Sequence, residues 1–151
     1  MEYRDIIKNG CFEELDKVID SEKELDNIHC AAVKLGINEE NIMSYYACVH
    51  MANADISDRE KAKFHDAAST VLTVGLTYVS GAYTLGYYHI KKAMELDPEN
   101  TDYKRTALME FAEIPDYDMD KSEIIKIAEE ILEKDKNDPI GLKYYNKYAL
   151  T

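Results

Sequence analysis

The chain has 151 residues, of which 46% are hydrophobic, a length and composition that fit one folded domain rather than a disordered segment. Its 18 Lys and Arg residues are outnumbered by 30 Asp and Glu residues, which gives a formal net charge of -12. Such a surface repels a phosphate backbone and attracts basic protein surfaces, so the charge argues against nucleic acid as a partner.

The cysteines and the N-terminus give expectations about the compartment. There are three cysteines, Cys11, Cys30 and Cys48, and they include no C-x-x-C pair, which argues against a disulfide framework and a zinc knuckle. The first residues, MEYRDIIKNG, mix acids and bases where a signal peptide needs a basic end followed by an apolar run. We therefore expect reduced, buried thiols in a cytoplasmic protein.

Short amphipathic helices are predicted for the first third of the chain, because apolar residues recur there at helical spacing. Gly10 and Gly36 suit the left-handed position that follows a helix, so we expect helices to stop at both. Asn38 is expected to cap the helix that comes next. The predicted helices span residues 3–8, 12–19, 25–35 and 39–54.

A capping box and three prolines place further helix ends. Ser57, with Glu60 three residues later, predicts the start of a helix. Pro98, Pro115 and Pro139 each fall where a helix should already have ended.

The stretch from Ala67 to Tyr88 carries no charge and is long enough to cross a bilayer. Its scattered Ser and Thr residues and the Ser80-Gly81 interruption favour two buried central helices over a membrane span. Residues 71–79, VLTVGLTYV, also alternate like a strand, with Ser80-Gly81 as a hairpin turn. Because a helical period fits them equally well and helical segments flank them, we expect helices.

Two segments share an amphipathic helix that ends in an acidic turn, YTLGYYHIKKAMELDPEN from Tyr83 and IIKIAEEILEKDKNDPIGL from Ile124. A repeat at about forty residues indicates stacked helical hairpins, since a single hairpin cannot bury its apolar face. One helix carries Val71, Val74, Gly75 and Tyr78, and the next carries Gly86, Ile90, Ala93 and Pro98. This pattern resembles a tetratricopeptide repeat.

The resemblance implies an all-α fold in which antiparallel helical hairpins stack as a short right-handed solenoid. We expect a single domain with divergent N-terminal helices (1–55), repeat hairpins (56–138) and a C-terminal capping helix (139–151). Gly75 and Gly86 would let two backbones approach each other. In the following unit, Lys136 stands in the place of the proline.

Proteins of this family bind peptides or protein surfaces on a concave side, which the first helix of each hairpin lines. The resemblance therefore implies partner-binding positions at Leu72, Leu76 and Val79 in one unit, and at Arg105 and Met109 in the next. Family members that clamp a terminal carboxylate have lysine and asparagine where this chain has Leu72 and Leu76. An apolar groove with an acidic rim is the expectation here.

The segment PDYDMDKSE places Asp116, Asp118 and Asp120 at alternate positions, as at the start of a calcium loop. Lys121 stands where that loop needs glycine, and Ile127 where it needs a closing glutamate. The alternative is an acidic turn in which Asp120 caps the next helix. We favour the turn and expect no metal.

The histidines and cysteines offer a weaker zinc hypothesis. His29, Cys30, Cys48, His50 and His65 could supply ligands, but Cys48 and His50 are two residues apart on a helix and so point in different directions. No catalytic motif or phosphate loop is evident, so neither catalysis nor a cofactor is expected.

The leading hypothesis is a non-enzymatic adaptor that holds a partner protein or peptide in an apolar groove. The alternative is a bacterial immunity protein or antitoxin, whose acidic face at Asp116, Asp118 and Asp120 neutralises a basic toxin such as a nuclease. An enzyme or metal sensor that uses the aspartate loop is the third hypothesis. No membrane partner is expected.

Overall fold

The computed structural model describes residues 2–151, and these residues form helices and connecting turns without a strand. The all-α prediction is confirmed. The chain divides into two compact units, Met1–Asp97 and Pro98–Thr151. The boundary lies inside residues 56–138, the range predicted to hold the repeat hairpins. The first unit contains α1 (Tyr3–Lys8), α2 (Glu13–Asp16), α3 (Glu22–Glu39), α4 (Met43–Ala52), α5 (Asp58–Thr70), a π-helical segment (Val71–Gly75) and α6 (Ala82–Leu96).

Local capping signals set several helix ends in the first unit. The side chain of Ser57 accepts a hydrogen bond from the backbone N–H of Glu60 at 3.2 Å and starts α5, as the capping box predicted. Gly10 follows α1 in the left-handed region, with φ of 69°, which also confirms the prediction.

Two predicted helix boundaries between α3 and α4 are wrong. Helix α3 runs through Gly36 and ends at Glu39, and Glu40 adopts the left-handed conformation instead. Asn38 lies inside α3, and the side chain that caps the start of α4 belongs to Asn41, which accepts from the N–H of Met43 at 2.9 Å. Gly36 is buried, and its lack of a side chain serves packing rather than termination.

The π-helical segment continues α5 and resolves the ambiguity between helix and hairpin in favour of helix. It ends at Gly75, and a turn that includes Gly81 in the left-handed region leads into α6. Gly75 does permit a close backbone approach, but to α3 rather than within its own hairpin. A Cβ atom at Gly75 would lie 2.3 Å from the carbonyl oxygen of Gly36.

The core of the first unit is built from the apolar faces of α1 to α5. Helix α4 packs on α3 and α5, and α6 packs on α5 and on the π segment. No helix among residues 2–151 has the length and apolar character needed to cross a membrane. The largest buried side chains of this core are Phe64, Leu15, Ile7, Ile28, Leu35 and Met51.

The second unit consists of α7 (Thr101–Phe111), α8 (Lys121–Lys134) and α9 (Pro139–Ala149). Helix α8 packs on both α7 and α9, and α9 begins at Pro139, where the closing helix was predicted to begin. Asp120 starts α8 by accepting from the N–H of Ser122 at 3.2 Å, as predicted. The buried core residues include Leu108, Phe111, Ile124, Ile127, Ile131 and Tyr144.

Candidate functional site

Leu72 and Leu76, two of the predicted partner-binding residues, are core residues. Their exposed fractions are 1% and 0%, so neither can contact a ligand in this structure. They continue the buried stripe that Phe64 and Ala68 begin on α5. Val74 and Tyr78, which the repeat pattern would bury, are instead 55% and 64% exposed. The predicted register along this segment is therefore wrong.

The other predicted partner-binding residues belong to different environments. Val79 is half-buried in the turn before α6, in the first unit. In the second unit, the Arg105 guanidinium pairs with the buried Asp138 carboxylate at 2.6 Å and with Asp102 at 2.7 Å. Met109 is exposed. Arg105 thus stabilises the start of α9, while Met109 remains a surface residue.

Asp138 shows how a buried charge is satisfied in the second unit. One carboxylate oxygen accepts from the N–H groups of Ile140 and Gly141, at 3.0 and 2.9 Å, and the other accepts from Arg105. Burial alone would raise the pKa of Asp138, but the Gly141 N–H and the Arg105 charge hold it below its ordinary value. This pair is structural rather than a ligand site.

The acidic loop does not assemble a cation site. Asp116, Asp118 and Asp120 are all exposed, and Asp120 is engaged as the α8 cap. Across residues 2–151, no three His, Cys, Asp or Glu side chains lie close enough to share a metal ion.

The histidines and cysteines of the zinc hypothesis are dispersed. The expectation of buried thiols is met only by Cys48, because Cys11 is half-buried and Cys30 is exposed. Burial raises the pKa of the Cys48 thiol to about 12. His50 pairs with Asp16 at 2.7 Å, and the His29 ring packs edge-on against Phe64. His65, however, meets a residue that the sequence analysis did not single out, His89.

Tyr45, His89 and His65 form a continuous chain of side-chain hydrogen bonds. The Tyr45 hydroxyl lies 3.0 Å from Nε2 of His89, and Nδ1 of His89 lies 2.9 Å from Nδ1 of His65. His89 is only 4% exposed. Each residue comes from a different helix, since Tyr45 belongs to α4, His65 to α5 and His89 to α6.

Both histidines are neutral near pH 7. Burial, reinforced by the neighbouring His65, lowers the pKa of His89 to about 4. Burial also lowers the pKa of His65, with a further contribution from the positive charge of Lys92. A neutral imidazole has one N–H donor and one bare acceptor nitrogen, so one member of the pair must donate to the other.

The chain admits two arrangements of its protons. In one, Tyr45 donates to Nε2 of His89, His89 donates from Nδ1 to His65, and His65 keeps its proton on Nε2. In the other, His65 donates from Nδ1 to His89, and His89 donates from Nε2 to the Tyr45 hydroxyl oxygen. Tyr45 then keeps its own proton but directs the O–H away from His89. The arrangement present therefore decides whether Nε2 of His65 is a donor or an acceptor.

The hydrogen-bonded chain lines a groove of about 430 Å³ between α4, α5 and α6. Tyr88 forms part of its border and is 50% exposed, and Tyr46, whose ring lies 5.8 Å from that of Tyr45, is equally exposed. The Lys92 ammonium lies 5.8 Å from the Tyr88 ring centre and 3.2 Å from the Glu95 carboxylate. Aromatic and charged side chains thus surround a polar floor.

A larger groove of about 710 Å³ runs along α1 and α3, and four of its polar side chains bind one another in two pairs. The Tyr3 hydroxyl donates to Glu24, and Arg4 pairs with Glu39 at 2.6 Å. Burial and the Glu24 hydrogen bond raise the pKa of Tyr3 to about 12. The groove between α4, α5 and α6 is the better candidate, because Nε2 of His65 can act there as either a hydrogen-bond donor or an acceptor.

His89 could have been noticed in the sequence as a polar residue on an otherwise apolar helix face. It falls on the stripe formed by Ala82, Gly86, Ile90 and Ala93. Its pairing with His65 depends on how α5 and α6 pack, and the spacing of the two residues contains no such information.

The fold and this groove define an all-helical protein with a mixed aromatic and polar cleft. Comparisons with protein family models, with curated proteins and with solved structures found no match for the chain.

Proposed function

We propose that the protein is a non-enzymatic interaction module that binds a segment of a partner protein in the groove between α4, α5 and α6. The observation that carries this proposal is the half-exposed Tyr88, which lines a groove with a buried polar floor; the equally exposed Tyr46 packs against Tyr45 of that floor. Tyrosine is favoured as an interface anchor, because it supplies a large contact area with few rotatable bonds.

The proposed binding surface differs from the one that the repeat pattern implied. Leu72 and Leu76 support the core, and the tyrosines on α4 and α6 take over the role of anchors. The tetratricopeptide-like part of the proposal is supported by the way α6 packs back on α5 and α8 packs back on α7. The exposure of Val74 and Tyr78 departs from the repeat pattern and counts against this part of the proposal.

The test combines partner capture with matched tyrosine variants. The wild-type chain captures a partner from a lysate of its host cells, and the purified partner is then titrated against Tyr46→Ser, Tyr88→Ser and Tyr78→Ser. We expect Tyr88→Ser to weaken binding at least about tenfold, and Tyr46→Ser to weaken it less, because Tyr46 reaches the groove only through its contact with Tyr45. Tyr78→Ser, at an exposed tyrosine that neither lines the groove nor packs on Tyr45, should have little effect. Equal affinities for all three variants would exclude this groove as the binding site.

A second candidate is an inhibitor that neutralises a basic toxin by charge. It is favoured by the exposure of Asp116 and Asp118 together with the net charge of -12. In that case, replacing Asp116, Asp118 and Asp120 by asparagine should weaken binding and reduce its salt dependence, while Tyr88→Ser should not. Asparagine keeps a cap at position 120, so that α8 retains its start.

A further inference from the structure

The groove is an exception to the acidic character of the chain. It includes Lys61 and Lys92 beside one carboxylate, that of Glu95, although the whole chain has a net charge of -12. Lys61 lies one helical turn before His65 on α5, and Lys92 lies one turn after His89 on α6. Each of the two facing helices therefore contributes one lysine and one histidine to the groove.

The donors of this groove match an anion with several acceptor oxygens. Lysine ammonium groups serve as point charges for phosphate. The hydrogen-bonded chain adds a further donor when Tyr45 donates to His89 and His89 donates to His65, because Nε2 of His65 then carries the proton. An anion that accepts from His65 selects this arrangement of the whole chain.

We propose that the groove between α4, α5 and α6 binds a phosphate monoester carried by the partner segment, such as a phosphoserine, through Lys61, Lys92 and Nε2 of His65. This inference rests on the proposed function and names the chemistry of its ligand. A phosphate monoester offers three strong acceptor oxygens and close to two negative charges near pH 7. The aromatic border formed by Tyr88 accommodates the flanking peptide.

Short-range contacts must provide the affinity. At physiological ionic strength, charges act over roughly 8 Å, so the acidic surface beyond the groove is largely screened from the ligand. Within the groove, Glu95 competes with the ligand for Lys92 at 3.2 Å. Its removal should therefore strengthen binding, an effect opposite in sign to that of removing either lysine.

The first experiment measures binding of short synthetic peptides to the full chain. A peptide with phosphoserine flanked by alanines should bind at least about tenfold more tightly than the same peptide with serine. Lys61→Gln and Lys92→Gln should each weaken binding at least about threefold, and Glu95→Gln should strengthen it. Lys23→Gln, which removes an exposed lysine of α3 outside the groove, is the matched control and should change affinity less than about twofold.

The second experiment follows the histidine rings by nitrogen-15 NMR, with inorganic phosphate as the probe and chloride at equal ionic strength as the control. Phosphate should shift His65 toward the form protonated on Nε2 and His89 toward the form protonated on Nδ1. A lysine contact alone would leave both tautomers unchanged.

Three outcomes would overturn the proposal: equal affinity for the phosphorylated and unmodified peptides, equal effects of Lys61→Gln and Lys23→Gln, or a His65 ring that is protonated on Nδ1 when phosphate is bound. Binding of glycerol phosphate as tightly as the phosphopeptide would refute the assignment of the ligand to a peptide. If Tyr88→Ser weakens binding of a captured partner but the phosphopeptide does not bind, the proposed interaction function stands and only the phosphate inference fails. If no partner depends on Tyr88, the proposed function fails independently of the peptide result.

Discussion

The contact between α3 and the π segment can be tested by one added methyl group, in Gly75→Ala. An alanine Cβ at this position would lie 2.3 Å from the carbonyl oxygen of Gly36 and 2.7 Å from its carbonyl carbon. Both are backbone atoms of α3, so no change of side-chain rotamer can relieve the overlap. The two helical segments have to move apart.

The cost follows from the size of that movement. Carbon and oxygen atoms of this kind approach to about 3.3 Å, so the backbones must separate by about 1 Å. A gap of that size forfeits roughly a quarter to a half of the dispersion attraction between the separated surfaces. Overpacking typically costs about 1–3 kcal/mol. Because backbone is displaced, we expect about 3 kcal/mol, or a fall in Tm of roughly 6–12 °C for a chain of this length.

Gly81→Ala is the matched control, since it adds the same methyl group where no atom lies within 4 Å. Its φ of +78° imposes only the backbone cost of a left-handed alanine, about 1–2 kcal/mol. Urea unfolding followed by circular dichroism measures both free energies. If Gly75→Ala proves no more destabilising than Gly81→Ala, the close approach of the two backbones, and the reasoning built on it, is wrong.

Three further predictions concern single side chains. The pKa of His89 is 6.5 in the unfolded chain and about 4 in the folded protein. As the pH falls from 6.5 to 4, the unfolded state therefore binds a proton that the folded state does not, and the free energy of unfolding should fall by up to about 3 kcal/mol. Chemical unfolding at several pH values should show this loss in His50→Gln but much less of it in His89→Gln. Asp138→Ala should lower the free energy of unfolding by about 3 kcal/mol in urea titrations, because it removes the α9 cap and leaves the half-buried Arg105 without its main partner. Asp138→Asn should lower it less, because asparagine can still cap the helix. Leu76→Glu buries a charge and should unfold the chain or cost at least about 4 kcal/mol in a thermal melt, whereas Met109→Glu, at an exposed position, should cost no more than about 0.5 kcal/mol. A folded Leu76→Glu variant with unchanged Tm would restore the groove register expected from the repeat pattern.

The sequence predicts best where the physical cause is local. Ser57 and Asp120 start their helices through hydrogen bonds to N–H groups two or three residues away, so the signal and its effect lie in one short stretch. The same holds for Gly10, where the backbone conformation itself requires glycine. These features were correctly predicted without knowledge of the tertiary structure.

The prediction at Gly36 failed because a glycine has two physical uses. The predicted use was the left-handed turn after a helix, but Gly36 lies inside α3, and a Cβ there would meet the Val71 methyl groups at 2.8 Å. Which use applies depends on what packs against the residue from a distant part of the chain. No local pattern distinguishes a helix-ending glycine from one that admits a neighbouring helix.

The register error along the π-helical segment has a related origin. Val74 and Leu76 both fit a helical apolar stripe in the sequence, and the family pattern favoured Val74 as the buried one. The π-helical segment Val71–Gly75 adds a residue to the turn, and Gly75 is held against α3, which fixes Leu76 inside and leaves Val74 outside. A tertiary contact therefore decided a register that periodicity left open.

The fold does not require the hydrogen bonds that link Tyr45, His89 and His65. Ile90 and Ala93 already bury the face of α6 that packs in the interior, and an apolar residue at position 89 could extend that face without desolvating an imidazole. Replacing both partners of a buried hydrogen bond by apolar groups often leaves the free energy of unfolding almost unchanged. These hydrogen bonds therefore contribute little net stability at neutral pH, and the buried histidine reduces stability in acid. The cost of desolvating the imidazole is offset if a ligand accepts a hydrogen bond from Nε2 of His65. The position of Lys92 agrees with that account, because its charge further lowers the pKa of His65 in the free protein and provides charge for an anion in the complex.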